Sequence, residues 1–168
     1  RARWTELSDE IRNLASRSSN ATPSDSFELH SNTIEKTIAL LTSVGDASNL
    51  TLDPDLDSYY LMNILIFQGP ELSEVVAQAR GLGSSIAANK AGSPEELAKL
   101  NRLAILMGFL LQKVDDSLGK ISQANPALKT QMDADSRSIV GAVQVATDRV
   151  TKLLSGGGRD ANAAEYFA

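Results

Sequence analysis

Between residues 97 and 121 the apolar side chains Leu97, Leu100, Ala104, Met107, Leu111, Val114, Leu118 and Ile121 follow one another in an unbroken alternation of threes and fours. That spacing gathers them on one stripe of a helix, the a/d seam of a bundle, whereas a half-buried strand would need every second residue apolar. Trp4, Leu7, Ile11 and Leu14 start a similar stripe, as do Ile34, Ile38, Leu41 and Val44, and then Leu72, Val75, Ala79, Leu82 and Ile86. A weaker one runs through Leu128, Met132, Ile139, Val143, Ala146, Val150 and Leu153. No alternating pattern of useful length competes with these, so the chain is expected to be all-α.

The prolines divide these stripes. Thr22-Pro23, Asp53-Pro54, Ser93-Pro94 and Asn125-Pro126 each set a side-chain oxygen before a residue suited to the first helical position, which places helix starts near 23, 54, 94 and 126. Ser93 and Glu96 also have the spacing of a capping box. Pro70, after Gly69, falls inside an apolar helical stretch and is expected to kink or restart it. Long helices joined by short turns must run antiparallel. The expected architecture is an up-down helical bundle of about four long helices in a single domain over residues 1–168, one helix interrupted near Gly69-Pro70. The glycines at 156–158 should end the last long helix, with a further helix starting at Asp160.

With 168 residues, 42% hydrophobic and 22% charged, the chain is long and apolar enough for a real core. Sixteen Lys and Arg against 21 Asp and Glu, spread along the sequence, argue against a nucleic-acid grip, which needs clustered cations. The absence of Cys removes disulfides, thiolate metal sites and cysteine catalysis, and one His precludes a multi-histidine metal site. The longest apolar run, 103–111, is about half of the roughly 20 residues needed to cross a bilayer. The chain opens on Arg1-Ala2-Arg3 without Met or a signal-like stretch, which reads as a segment of a longer polypeptide.

Little in the sequence supports chemistry. Asp53, Asp55 and Asp57 alternate as in the first half of a calcium loop, but Ser58 replaces its glycine and Ile64 its closing glutamate. The plainer reading is that Asp53 caps a helix while Asp55 and Asp57 favour its positive end. His30 falls on the inward stripe of its helix, where packing or a place at the edge is the ordinary role and proton sensing the alternative. No nucleophile elbow or phosphate loop is present, and the Glu-x-x-His pair of di-iron bundles is missing, since Phe27 stands three residues before His30. No catalytic residue, metal ligand or cofactor is therefore assigned. Tyr59 and Tyr60 point about 100° apart on a helix, so one should line a seam. Arg80, flanked by the small residues Ala77, Ala79, Gly81 and Gly83, offers a fork for a carboxylate, or simply pairs with a surface acid.

The stretch 48–62, Ser-Asn-Leu-Thr-Leu-Asp-Pro-Asp-Leu-Asp-Ser-Tyr-Tyr-Leu-Met, followed by Pro70-Glu71-Leu72 and Arg80-Gly81, resembles a signature of the extracytoplasmic helical sensor domains of bacterial transmembrane receptors. The terminal Glu165-Tyr166-Phe167-Ala168 is similar to the opening of the helix that runs to the second membrane span of such receptors. The resemblance implies a periplasmic ligand-sensing module of an inner-membrane protein, flanked by membrane helices outside this sequence and homodimeric in the full receptor. Methyl-accepting chemotaxis proteins are the first expectation for the output, with sensor histidine kinases and diguanylate cyclases as alternatives. A pocket between helices is expected to use Tyr59 or Tyr60, Asn63 and Arg80, and Arg80 makes an anionic small molecule the natural ligand. The competing expectation is a structural or adaptor bundle that docks partner helices along an exposed apolar strip.

Overall fold

A computed structural model of the chain describes residues 2–156 and Asn162. Among them every regular element is helical. Helix α1 spans Ala2–Ser18, α2 Pro23–Ala47, α3 Leu56–Asn63, α4 Gly69–Asn89, α5 Pro94–Ala124 and α6 Lys129–Gly156. Because α3 passes through a π-helical turn, Ile64–Gln68, directly into α4, residues 56–89 form one continuous stretch. Long helical stretches therefore number five among the described residues, where about four were expected. No helix among them is long and apolar enough to cross a membrane. The glycines at 157 and 158 and the segment expected from Asp160, apart from Asn162, lie outside the described residues.

The chain divides into two compact units, Arg1–Asp53 and Pro54–Ala168. In the first, Arg3 on α1 reaches Ser43 on α2, and Glu10 meets Thr33 and Lys36, so the two helices pair in reverse order. Of the apolar stripe on α1, Leu7 is buried, while Trp4 and Ile11 remain 62% and 45% exposed. On α2, Ile34 and Val44 are likewise exposed. His30 also lies exposed instead of inward, its Nδ1 donating to the Ser26 carbonyl at 2.7 Å. Within this unit each of the two long helices has only the other to pack against, and one partner can cover only part of a stripe.

The second unit has a contiguous core in which α4, α5 and α6 meet. Ile86, Leu100, Met107 and Ile121 are fully buried, joined by Leu72, Val75, Ala79, Leu110, Val114, Val143, Val150 and Leu153. The seam read along α5 is thus inward, widened by Leu103 and Leu110. Caps hold the helix starts: Thr22 accepts from the Asp25 amide, and Ser93 and Glu96 complete the capping box. Two starts differ from expectation. Asp53 is not the cap of α3; it ends a 3-10 turn, Leu50–Leu52, in the extended conformation that a following proline favours, and α3 begins two residues after Pro54 with Asp55 in the cap position. Asn125-Pro126 opens a 3-10 turn, Pro126–Leu128, before α6.

The expected interruption at Gly69-Pro70 takes the form of the π-turn. Proline has no N–H and its ring crowds the carbonyl four residues back, so an α-helix cannot pass through it undisturbed. Here the chain widens by one residue just before it, and the Gly69 N–H donates to the Ile64 carbonyl five residues earlier. That wide turn needs the glycine, since a Cβ at position 69 would lie 2.8 Å from the Ile64 carbonyl oxygen.

Candidate ligand cleft beside the π-turn

The start of α3 is tied to the end of α5. Asn125 Nδ2 donates to Asp57 Oδ2 at 2.8 Å while Asn125 Oδ1 accepts from the Ala127 amide, so one side chain closes the 3-10 turn and holds α3. The Asn125 bond, with a second from the Ser58 amide, holds the Asp57 carboxyl below the usual carboxylate range. One turn on, Lys120 Nζ lies 4.7 Å over the centre of the Tyr60 ring, a cation–π contact. Tyr59 meets Tyr60 edge to face, with centroids 5.2 Å apart. Tyr60 is half-buried against the core and Tyr59 is 36% exposed, which matches one tyrosine turning to a seam.

Beyond these residues lies a cleft of about 240 Å³. Leu61, Ile64 and Leu65 form one wall, Leu118 of α5 its floor, and Met132 and Ile139 of α6 the other wall. Asp135 and Ser138 supply its polar atoms. Two of the wall residues, Ile64 and Leu65, belong to the π-turn itself. On the same turn Gln68 is buried, and its Oε1 has no hydrogen-bond partner among the described residues. A buried polar atom without a partner costs about 1–3 kcal/mol, so this turn is held at some expense to stability.

Of the residues singled out from sequence, Tyr59, Tyr60 and Asn63 lie together on α3, with Asn63 half-buried. Arg80 is not brought to them. It sits 17 residues beyond Asn63 on the same continuous stretch, about 25 Å from it at the helical rise, and is exposed. Among its small neighbours Ala79 and Gly83 are buried. The aspartates at 53, 55 and 57 build no metal site: among the described residues no group of three or more His, Cys, Asp or Glu can hold an ion.

Sequence reasoning missed the α6 wall, although the sequence carries a sign of it. A stripe stepping by threes and fours from Met132 to Ile139 requires an apolar residue at 135 or 136, and the chain has Asp135 and Ser136 there. Ser136 turns to Asp115 of α5 and donates to its carboxylate, while Asp135 is left at the cleft. Asn125 was legible as a cap, but its second role toward Asp57, 68 residues away in sequence, was not. No family model, curated protein or solved structure matches this chain.

Proposed function

We propose that this chain is the ligand-sensing domain of a bacterial transmembrane receptor, of chemotaxis type in the first instance, lying in the periplasm as part of an inner-membrane protein. In this reading the helices form an up-down antiparallel bundle, dimeric in the full receptor, and a small ligand biases a shift of one helix on its neighbours. The observation that carries it is the coincidence of three features on one stretch of helix: the signature-like segment around Tyr59-Tyr60, a cleft walled by the residues just after it, and a π-turn in that wall. Helical π-turns recur at functional sites, and packed helices have discrete arrangements between which a ligand can select. A ligand in the cleft would touch both the π-turn and α6, and so bear on their relative position. The same output logic would serve a histidine kinase or a diguanylate cyclase.

A thermal-shift screen of the purified chain against amines, amino acids, organic acids, purines and nitrate tests the reading, since a ligand that binds only the folded state raises Tm. At least one class should raise Tm in proportion to the logarithm of its concentration. The adaptor reading is favoured by one feature, the outward strip of Ile105 and Phe109 on α5, which are 67% and 58% exposed, with Leu106 beside them. A stable oligomer indifferent to every small molecule, and broken by Phe109→Ser, would replace the sensor reading with that one.

A further inference from the structure

We infer that the cleft beside the π-turn binds a small organic amine in its ammonium form, the charged head at Asp135 and the hydrocarbon body between Leu61, Ile64, Met132 and Ile139. This rests on the reading of the chain as a ligand-binding domain and names the chemistry of its ligand.

Charge is the first argument. Among the described residues Asp135 is the one charged side chain that lines the cleft. On α6, Lys129 is engaged with Asp133 at 2.8 Å, Arg137 is exposed and does not line the cleft, and Asp135 Oδ1 accepts from the neutral Gln131 amide. Lys120, the nearest cation on the α5 side in sequence to Leu118, is drawn over the Tyr60 ring. A half-buried carboxylate against apolar walls, with a neutral donor, complements a cation and repels an anion. The expectation of an anionic ligand came from Arg80, about 25 Å along the helix, and has no counterpart at this cleft.

Shape is the second argument. A carboxylate in an otherwise apolar stripe, at the register where the seam requires a hydrophobe, leaves the walls of the cleft without the side chain that would fill it. The space, about 240 Å³, is below the roughly 300–1,000 Å³ of sites for drug-sized molecules, which limits the occupant to a chain or ring of a few carbons. Leu65 at the rim is 68% exposed, so a hydrocarbon body has an apolar surface to cover on entry.

Calorimetric titration of the full chain with hexylamine, hexanol and hexanoate at neutral pH and 0.15 M salt tests the assignment. Hexylamine is expected to bind at least tenfold more tightly than hexanol, and hexanoate more weakly than either. Asp135→Asn should reduce the affinity for hexylamine to that for hexanol, and Ser138→Trp, at an exposed position on the cleft wall, should abolish binding of both. A methyl resonance of Met132 should shift on titration with the amine. Equal affinity for amine and alcohol, an unchanged affinity in Asp135→Asn, or an unchanged one in Ser138→Trp overturns the assignment. The sensor reading is separable from it. Amines that bind here yet leave the output of a receptor carrying this domain unaltered would sink that reading and leave the site standing, whereas an output driven by another ligand class, with amines not binding, does the reverse.

Discussion

Gly69 occupies a helical position where the usual preference for alanine should invert. In an exposed helix interior Gly→Ala is worth up to about 1 kcal/mol of added stability, and Gly141, exposed on α6 with open space where its Cβ would go, is such a site. At position 69 the same methyl group meets the Ile64 carbonyl oxygen at 2.8 Å, a backbone atom that can retreat only if the π-turn changes. Urea denaturation should therefore show Gly141→Ala stabilised by up to about 1 kcal/mol and Gly69→Ala destabilised by about 1–3 kcal/mol, the range for overpacked sites. Asp57 offers a second test at this scale. Its carboxyl is depressed in the folded state, first by Asn125 and then by the Ser58 amide, so its ionised form stabilises the fold above the unfolded value. That contribution is present above about pH 4 and disappears as pH falls through the lower folded value. Asp57→Asn should flatten the acid side of the curve of urea midpoint against pH, with little change in its slope at neutral pH.

Element boundaries follow from a few residues whose chemistry acts locally, and those were legible. Thr22, Ser93 and Asn125 accept from backbone amides two or three residues on, a relation that sequence spacing contains in full. The α5 seam was legible for the same reason, because one helix with neighbours on its inward side turns periodicity directly into burial. What escaped depended on partners distant in sequence. Trp4 and Ile34 have helical spacing, but the two helices of their own unit do not cover them, and the cleft required Leu61 and Ile139 to be facing walls. The ending of α4 illustrates a boundary set against local preference: Lys90 takes the left-handed conformation, φ 53°, at a position where glycine is the usual occupant. A left-handed turn costs a residue with a Cβ roughly 1–2 kcal/mol. Lys90→Gly should accordingly raise stability by about 1 kcal/mol, while Lys90→Val, with a branched Cβ, should lower it, both read from thermal or urea unfolding.

For the molecule as a whole, the two units differ in how much of their own structure they can sustain. Residues 54–168 hold a core in which Ile86, Leu100, Met107, Leu110, Ile121 and Val150 are each no more than 1% exposed, supplied by three long helical stretches. Residues 1–53 bury Leu7, Thr33 and Gly45, and leave Trp4, Ile11, Ile34 and Val44 open to solvent. Polar ties supplement that small core, Lys36 to Glu10 at 2.8 Å and Arg3 to Ser43 at 3.3 Å, but they are exposed to solvent, which screens them and leaves them little weight. Isolated helices of about 15 residues are marginal in water, and chains near 50 residues are marginal even with a well-filled interior, which this unit lacks. Expressed separately, residues 54–168 should retain the helical circular-dichroism signal per residue of the full chain and unfold in one cooperative transition. Residues 1–53 should lose most of theirs and melt without a sigmoidal transition. A sharp, independent melt of residues 1–53 would mean that the paired helices α1 and α2 are stabilised by more than Leu7 and these polar ties, and the exposed stripe through Trp4 and Ile34 would be the place to look for it, by testing whether that melt moves with protein concentration.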